Sequence, residues 1–327
     1  MLSRVGRISI ARIQSGAALL LMVGALSVMT RTFLTPDNAW NILRQVSVNL
    51  CLSIGMTLII LTGGIDVSVG AVLGIAGAVA AGLLKFGVAA TTWGIKLEFT
   101  AAGAVVGGIG IGILLGLCNG VVIARLRLPP FVATLAMLSI ARGLTLLWTG
   151  GFPITGLGPT FGFIGTGAWW GVPMPVWEVG FLAIAASVIC ARTAFGRHLY
   201  AVGGSERAAR LSGLSIHKIK IAVYGIGGGL SGIGGLIVTA RLDSAQPTAG
   251  LGYELDSIAA VVIGGASLSG GRGSIMGTVL GCLIIGVLNN GLFLLDVSPF
   301  WQQVVKGLVI LIAVALDRLG ERRAHPA

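Results

Sequence analysis

Charge is scarce in this chain. Charged side chains make up 10% of its 327 residues, where a soluble domain carries about 25%. So few charges cannot cover a solvated surface of that size, which excludes a water-soluble globule. Cysteine is sparse as well: Cys51, Cys118, Cys190 and Cys282 are the only four. All sit inside apolar blocks without CxxC spacing, so they read as small buried hydrophobes and exclude a disulfide framework or thiolate metal site. The three histidines, His198, His217 and His325, read as solvated side chains. No acid–base or metal constellation surrounds them, so an enzyme is not expected. No G-x-x-x-x-G-K-[ST] phosphate loop occurs, so any ATP must be handled by another chain. No basic folded module accompanies the net charge of +11, which argues against a nucleic-acid partner.

Apolar residues are abundant: 55% of the chain, with a mean hydropathy of +0.96. They fall in blocks near the roughly 20 residues that cross a bilayer. Ten candidate spans follow: 16–34, 44–62, 67–85, 99–124, 131–149, 176–191, 219–240, 255–269, 275–294 and 301–317. The fold class is therefore all-α integral membrane, a single transmembrane domain over 1–327. Arg4, Arg7 and Arg12 ahead of the apolar run Gly16–Met29 mimic a signal peptide, but no small-x-small cleavage site follows. A retained first span is expected.

Charge orients the spans. With the N-terminus cytoplasmic, 15 of the 22 Lys/Arg fall on inner segments and four, Arg31, Lys85, Lys96 and Arg241, on outer ones. Arg44, Arg142 and Lys306 fall within spans. The bias places both termini inside. That gives a cytoplasmic N-tail (1–15), a cytoplasmic loop (192–218) and a cytoplasmic C-tail (318–327). Outer segment 150–175 has no Lys or Arg and carries Trp169 and Trp170, as interface anchors or as contacts for an external partner.

Glycine supplies 53 of 327 residues, about 16%, against a usual 7%. Small residues let helices approach closely in lipid, so the excess points to tight packing, with some positions marking broken helices. The segment from Asp66 (DVSVGAVLGIAGA) aligns with that from Asp256 (DSIAAVVIGGASL), and Asn119-Gly120 with Asn290-Gly291. The offsets of 190 and 171 fit an inverted repeat of spans 2–5 and 7–10, a common transporter plan.

The loop 192–218 is the most informative stretch. Ser205 suits a helix cap and Glu206 its first turn. Residues 205–211 favour helix and Gly213 stops it. Such an exposed amphipathic helix reads equally as a docking element or as an ordinary solvated loop.

Several motifs together carry a family resemblance. They are Gly55-Met-Thr-Leu with Gly63-Gly-Ile-Asp66-Val-Ser-Val-Gly70, Asn119-Gly120, Phe131-Val-Ala-Thr-Leu, Arg142-Gly143, the 192–218 loop, Ser244-Ala-Gln246-Pro-Thr-Ala-Gly250, Gly252-Tyr253-Glu254-Leu-Asp256 through Gly264, and Leu288-Asn289-Asn290-Gly291. From about residue 35 to 317 the chain resembles the permease subunit of bacterial ATP-binding cassette importers for ribose and related monosaccharides. The resemblance implies a homodimeric path in the bacterial inner membrane, a cytoplasmic ATPase subunit holding ATP and magnesium, and a periplasmic sugar-binding protein. It also implies that Ser205, Glu206, Ala208, Ala209, Arg210, Leu211, Ser212 and Gly213 couple the ATPase to the membrane domain. No cofactor or metal is expected in this chain.

Polar residues within apolar stretches are candidate path-lining groups: Asn49, Asp66, Asn119, Asn289 and Asn290. Each has a second reading. Asp66 also suits the start of a broken helix, and the asparagines suit interhelical hydrogen bonds. Arg142 and Lys306 are expected in a structural pair or snorkelling at helix ends. The alternative function, a secondary transporter or channel, would place coupling acids deep in spans; here the acids cluster near span ends. Which sugar or polyol is carried is not written in these residues.

Overall fold

A computed structural model describes residues 2–90 and 95–324, with side chains over 14–88, 97–312 and 314–315. The side chains of Lys96 and of the cationic tails' Arg4, Arg7, Arg12, Arg318, Arg322 and Arg323 lie outside the described residues, as does His325. The structure is an all-α bundle. Its helices are α1 (Leu2–Met29), α2 (Pro36–Leu61), α3 (Val69–Phe86), α4 (Ala101–Arg125), α5 (Pro130–Thr149), α6 (Pro159–Thr166) and α7 (Met174–Arg192). There follow α8 (Ala194–Gly204), α9 (Glu206–Leu211), α10 (Ile216–Leu242), α11 (Tyr253–Ile263), α12 (Ile275–Leu294) and α13 (Pro299–Ala324). Strand is limited to three two-stranded pieces among the described residues, one of which pairs 154–155 with 244–245.

Local chemistry sets the helix starts. Thr35, Thr100, Thr193, Ser205 and Ser274 each accept a hydrogen bond from a first-turn amide with the side-chain hydroxyl, satisfying a donor that the helix leaves unpaired. Proline opens α2, α5, α6 and α13, where its missing N–H costs nothing.

Among the described residues, seven helices, α2, α3, α4, α5, α7, α10 and α12, are long and apolar enough to cross a membrane; α1 and α13 carry shorter apolar stretches, Gln14–Met29 and Pro299–Ile312. The span expected at 255–269 is different. Helix α11 has 11 residues, a rise of about 16 Å, roughly half of a bilayer core. Residues 244–252 run extended and turned before it, with Gly250 and Gly252 at positive φ, and Gly265, Gly270, Gly271 and Gly273 break the chain after it. Hydropathy read this as one span, but it is a broken one.

Burial separates centre from perimeter. The apolar windows of α2 and α3 are 78% buried and that of α10 72%, while those of α4, α5 and α7 are 28% buried. The outer surfaces of α4, α5 and α7 display Leu114, Val121, Leu135, Phe181 and Ile184, as lipid-facing helices must. Cys118 is exposed on this surface, whereas Cys51, Cys190 and Cys282 are buried as expected. At the centre, α10 lies against α2, α3 and α4 along glycines. A Cβ on Gly116 would strike the Tyr224 carbonyl, and one on Gly228 the Gly112 carbonyl. Where α2 crosses α10, a Cβ on Gly55 would lie 2.9 Å from Gly227 Cα.

The packing follows the internal correspondence. Helix α10 packs on α3 and α4, and α2 packs on α11 and α12; α3 touches α4 and α5, as α11 touches α12 and α13. Exchanging α2–α5 with α10–α13 maps each of these pairings onto another.

Candidate translocation cleft and docking helix

Helix α2 carries amides at 38, 41, 45 and 49, a three- to four-residue spacing that aligns them on one helix face. Two adjoining cavities open on that face. The deeper, about 200 Å³, is lined by Gln45 and Asn49 of α2, Tyr253 and Asp256 of α11, Asn289 and Phe293 of α12, and Gln302 and Lys306 of α13, among others. The wider, about 610 Å³, shares Gln45, Asn290 and Phe293 with it and continues past Asn38, Arg44, Thr166 and Arg241. The start of α2, the ends of α10 and α12, and α6 therefore meet at one end of the bundle.

Two interactions frame this cleft. Lys306 Nζ donates to Asp256 Oδ2 at 2.9 Å, a charge pair between α13 and α11. Asn38 and Asn290 exchange amide hydrogen bonds at 3.0 and 2.8 Å, tying α2 to α12. By contrast, the side-chain oxygens of Asn49 and Asn289 are buried without a hydrogen-bond partner among the described residues. A buried acceptor left unpaired costs about 1–3 kcal/mol.

Of the five path candidates, the cleft gathers Asn49, Asn289 and Asn290. Asp66 and Asn119 lie elsewhere. Asp66 Oδ1 accepts from the Ser68 amide at 2.8 Å and its hydroxyl at 2.6 Å, and Asn119 Nδ2 donates to the same hydroxyl at 3.0 Å. Together they close the turn before α3. Arg142 and Lys306 do not pair with each other. Arg142 Nη1 donates to the carbonyls of Pro247 at 3.0 Å and Ala249 at 2.8 Å. Non-helical backbone at membrane depth needs such donors, because lipid offers none. Asn38, Gln45, Tyr253, Gln302 and Phe293 were not anticipated. The amide spacing on α2 was the available signal.

At the opposite end, α9 lies on the surface of the bundle, against α8 and α10. Ser205 Oγ accepts from the Ala208 amide at 3.2 Å, and Ser212 Oγ donates to the Ala208 carbonyl at 3.0 Å. Gly213, at φ +82°, takes the left-handed turn that ends the helix. Glu206 bonds Arg210 at 3.2 Å and Lys220 of α10 at 2.8 Å. The Lys220 hydrogen bond holds the Glu206 carboxyl below its usual value against partial desolvation. Ala209 is buried, anchoring the helix, while Leu211 is 82% exposed at its tip. Beside it, a hollow of about 310 Å³ is bounded by Arg127, Pro129, Arg210 and His217.

A helical membrane bundle with a broken span, an amide-lined cleft at one end and a projecting helix at the other is the architecture of a solute permease. Residues 38–314 match the family described as branched-chain amino acid transport system / permease component, and the chain belongs to that permease family. It is 47% identical to the ribose import permease protein RbsC of Escherichia coli strain K12, over 92% of this chain and 91% of that protein. It is 49% identical to RbsC of Bacillus subtilis strain 168, over 92% and 90%. The xylose transport system permease protein XylH of Haemophilus influenzae is 34% identical, over 89% and 91%. No solved structure matches the chain.

Proposed function

We propose that this chain is the transmembrane subunit of an ATP-driven importer that moves ribose or a closely similar monosaccharide across the bacterial inner membrane. The observation that carries this reading is identity of 45–49% to ribose import permeases over at least 92% of the chain. The family's description names branched-chain amino acids, but the similarity to sugar permeases is close and nearly end to end.

The remaining parts follow from the chemistry of the two ends. The bias of Lys and Arg puts α9 in the cytoplasm and the cleft mouth outside. Helix α9 then meets an ATPase subunit through Leu211 and the charges around it, with ATP and magnesium held there. The cleft receives sugar from a periplasmic binding protein. A second copy of the chain completes the path, each contributing one cleft. A secondary transporter is disfavoured because Asp256, the acid in the cleft, is already neutralised by Lys306.

The test is uptake of labelled ribose and xylose in a bacterial strain deleted for its own ribose and xylose permeases, expressing this chain with its cognate ATPase and binding protein. Ribose uptake that depends on ATP is expected. Uptake without the ATPase at full rate, or leucine uptake in place of sugar, would reject the proposal.

A further inference from the structure

We infer that the cleft between α2, α11, α12 and α13 is a binding site for one neutral polyol, recognised by the side-chain amides of Gln45, Asn49, Asn289 and Gln302. The inference rests on the sugar-permease reading above and names where in this chain the sugar is held.

The cleft has two unmet needs. Among the described residues the buried oxygens of Asn49 and Asn289 both lack a donor, and both residues line the deeper cavity. Turning either amide over exchanges its buried oxygen with its NH2 group, so that a hydroxyl-bearing ligand in the cavity can supply the missing donor. The amides also present N–H groups, so each can accept from and donate to a hydroxyl, which is itself donor and acceptor. Tyr253 and Phe293 add aromatic faces.

Charge selects among solutes. Asp256 and Lys306 are the only ionisable acid and base lining the deeper cavity besides Tyr253, and they bond each other at 2.9 Å. Their charges cancel. Within the deeper cavity an anion or a cation finds no free counter-charge; the cations Arg44 and Arg241 line the adjoining cavity instead. A zwitterionic amino acid would have to split the pair to obtain partners for its ammonium and carboxylate, losing one ion pair to gain another. A neutral polyol leaves it intact. Size agrees: about 200 Å³ lies below the roughly 300–1,000 Å³ of sites for drug-sized ligands. The adjoining cavity of about 610 Å³ provides the approach.

The experiment uses the full importer, with its ATPase and binding protein, in lipid vesicles supplied with labelled D-ribose. It also uses the full-length chain in lipid nanodiscs for thermal unfolding with D-ribose or L-leucine. Asn49→Leu and Asn289→Leu keep side-chain size but remove the amide. Each is expected to lower ribose transport by about tenfold, the scale of one lost buried hydrogen bond, while Asn49→Gln and Asn289→Gln recover part of it. Millimolar ribose is expected to raise the unfolding midpoint of the wild-type chain by mass action, and not that of the Leu variants; leucine is expected to raise neither. Gln45→Ala, at an exposed position, is expected to lower transport in the same direction, and it tests the claim should a buried variant fail to assemble. Wild-type transport of ribose with all three variants within twofold of it would overturn the site while leaving the sugar-permease reading standing. A midpoint raised by leucine and not by ribose would overturn the choice of ligand. A wild-type importer that moves no ribose would reject the sugar reading first, and this site with it.

Discussion

Asp66 and Asp256 stand 190 residues apart at corresponding places in the two halves of the chain, and their surroundings are opposite. Asp66 is satisfied within its own turn by Ser68 and sits 2% exposed. Asp256 reaches across to Lys306 on another helix and walls the cleft. Asn119 and Asn290 repeat the contrast. Asn119 reinforces the Asp66 turn, whereas Asn290 crosses to Asn38 beside open space. The same helix pairings thus serve two ends. Around Asp66, bonds to Ser68 close a turn, and the glycine seam between α10 and α4 makes a closed scaffold. Around Asp256, polar pairs between helices border a solute-sized gap.

The largest effect that would test this contrast lies in the closed scaffold, where α10 of the second half packs on α4 of the first. Gly228→Val drives two methyl groups at the Gly112 carbonyl, on a backbone with no room to retreat. A loss of about 3 kcal/mol is expected, read as a lower thermal midpoint of the full chain in lipid. An unchanged midpoint would mean that the glycine seam is looser than its geometry. Next comes the ion pair of the cleft. Lys306→Ala leaves the Asp256 carboxylate, 11% exposed, without its partner. The expected cost is about 2 kcal/mol, less than for a fully buried pair because Lys306 keeps some contact with water. The double variant Asp256→Asn with Lys306→Gln should recover most of it; equal single and double losses would show that the two residues are uncoupled.

Smaller still is the amide pair. Asn38→Ala or Asn290→Ala should each cost about 1 kcal/mol, the usual scale for hydrogen bonds between membrane helices. The double variant should cost little more than either single one. Glu206 belongs to neither half and serves as the comparison's control. Glu206→Gln should change the midpoint by less than about 1 kcal/mol, since the group is 45% exposed, yet uncouple ATP hydrolysis from transport. Its pH dependence has a definite sign. The folded carboxyl titrates below its ordinary value of 4.5. Its contribution is therefore fully present above that value and is lost as pH falls through the lowered one. Protection of the α9 amides from exchange, corrected for intrinsic rate, should hold from pH 7 to about pH 5 and fall below about pH 4.

What the sequence disclosed depended on distance along the chain. Ser205, Glu206 and Gly213 lie within nine residues, so capping, dipole and stop signals were readable together, and α9 forms where they place it. Long apolar runs likewise revealed the bundle. Hydropathy failed at 255–269, because a half-helix followed by a glycine-broken segment has the same composition as a whole span; the Arg142 donors that hold the non-helical backbone before it come from more than 100 residues away. The cleft failed for a related reason. Its defining pairs, Asn38–Asn290 and Asp256–Lys306, join residues 252 and 50 apart. Asp66 and Asn119 carry two readings in the sequence, path lining or structural hydrogen bonding, because intramembrane polarity alone does not reveal that both meet at Ser68.

The short ribbon joining 154–155 to 244–245 has a mechanical meaning. It splices the long connection between α5 and α7 to the chain that dips inward toward Arg142. Asp243 stiffens the splice, accepting from the Leu157 amide with its side chain at 2.8 Å and from the Gly156 amide with its carbonyl at 3.2 Å. A force applied to that connection does not dissipate in a slack loop. It is delivered, as by a tie rod, to Pro247, Ala249 and the base of α11, the helix whose Asp256 forms one wall of the cleft.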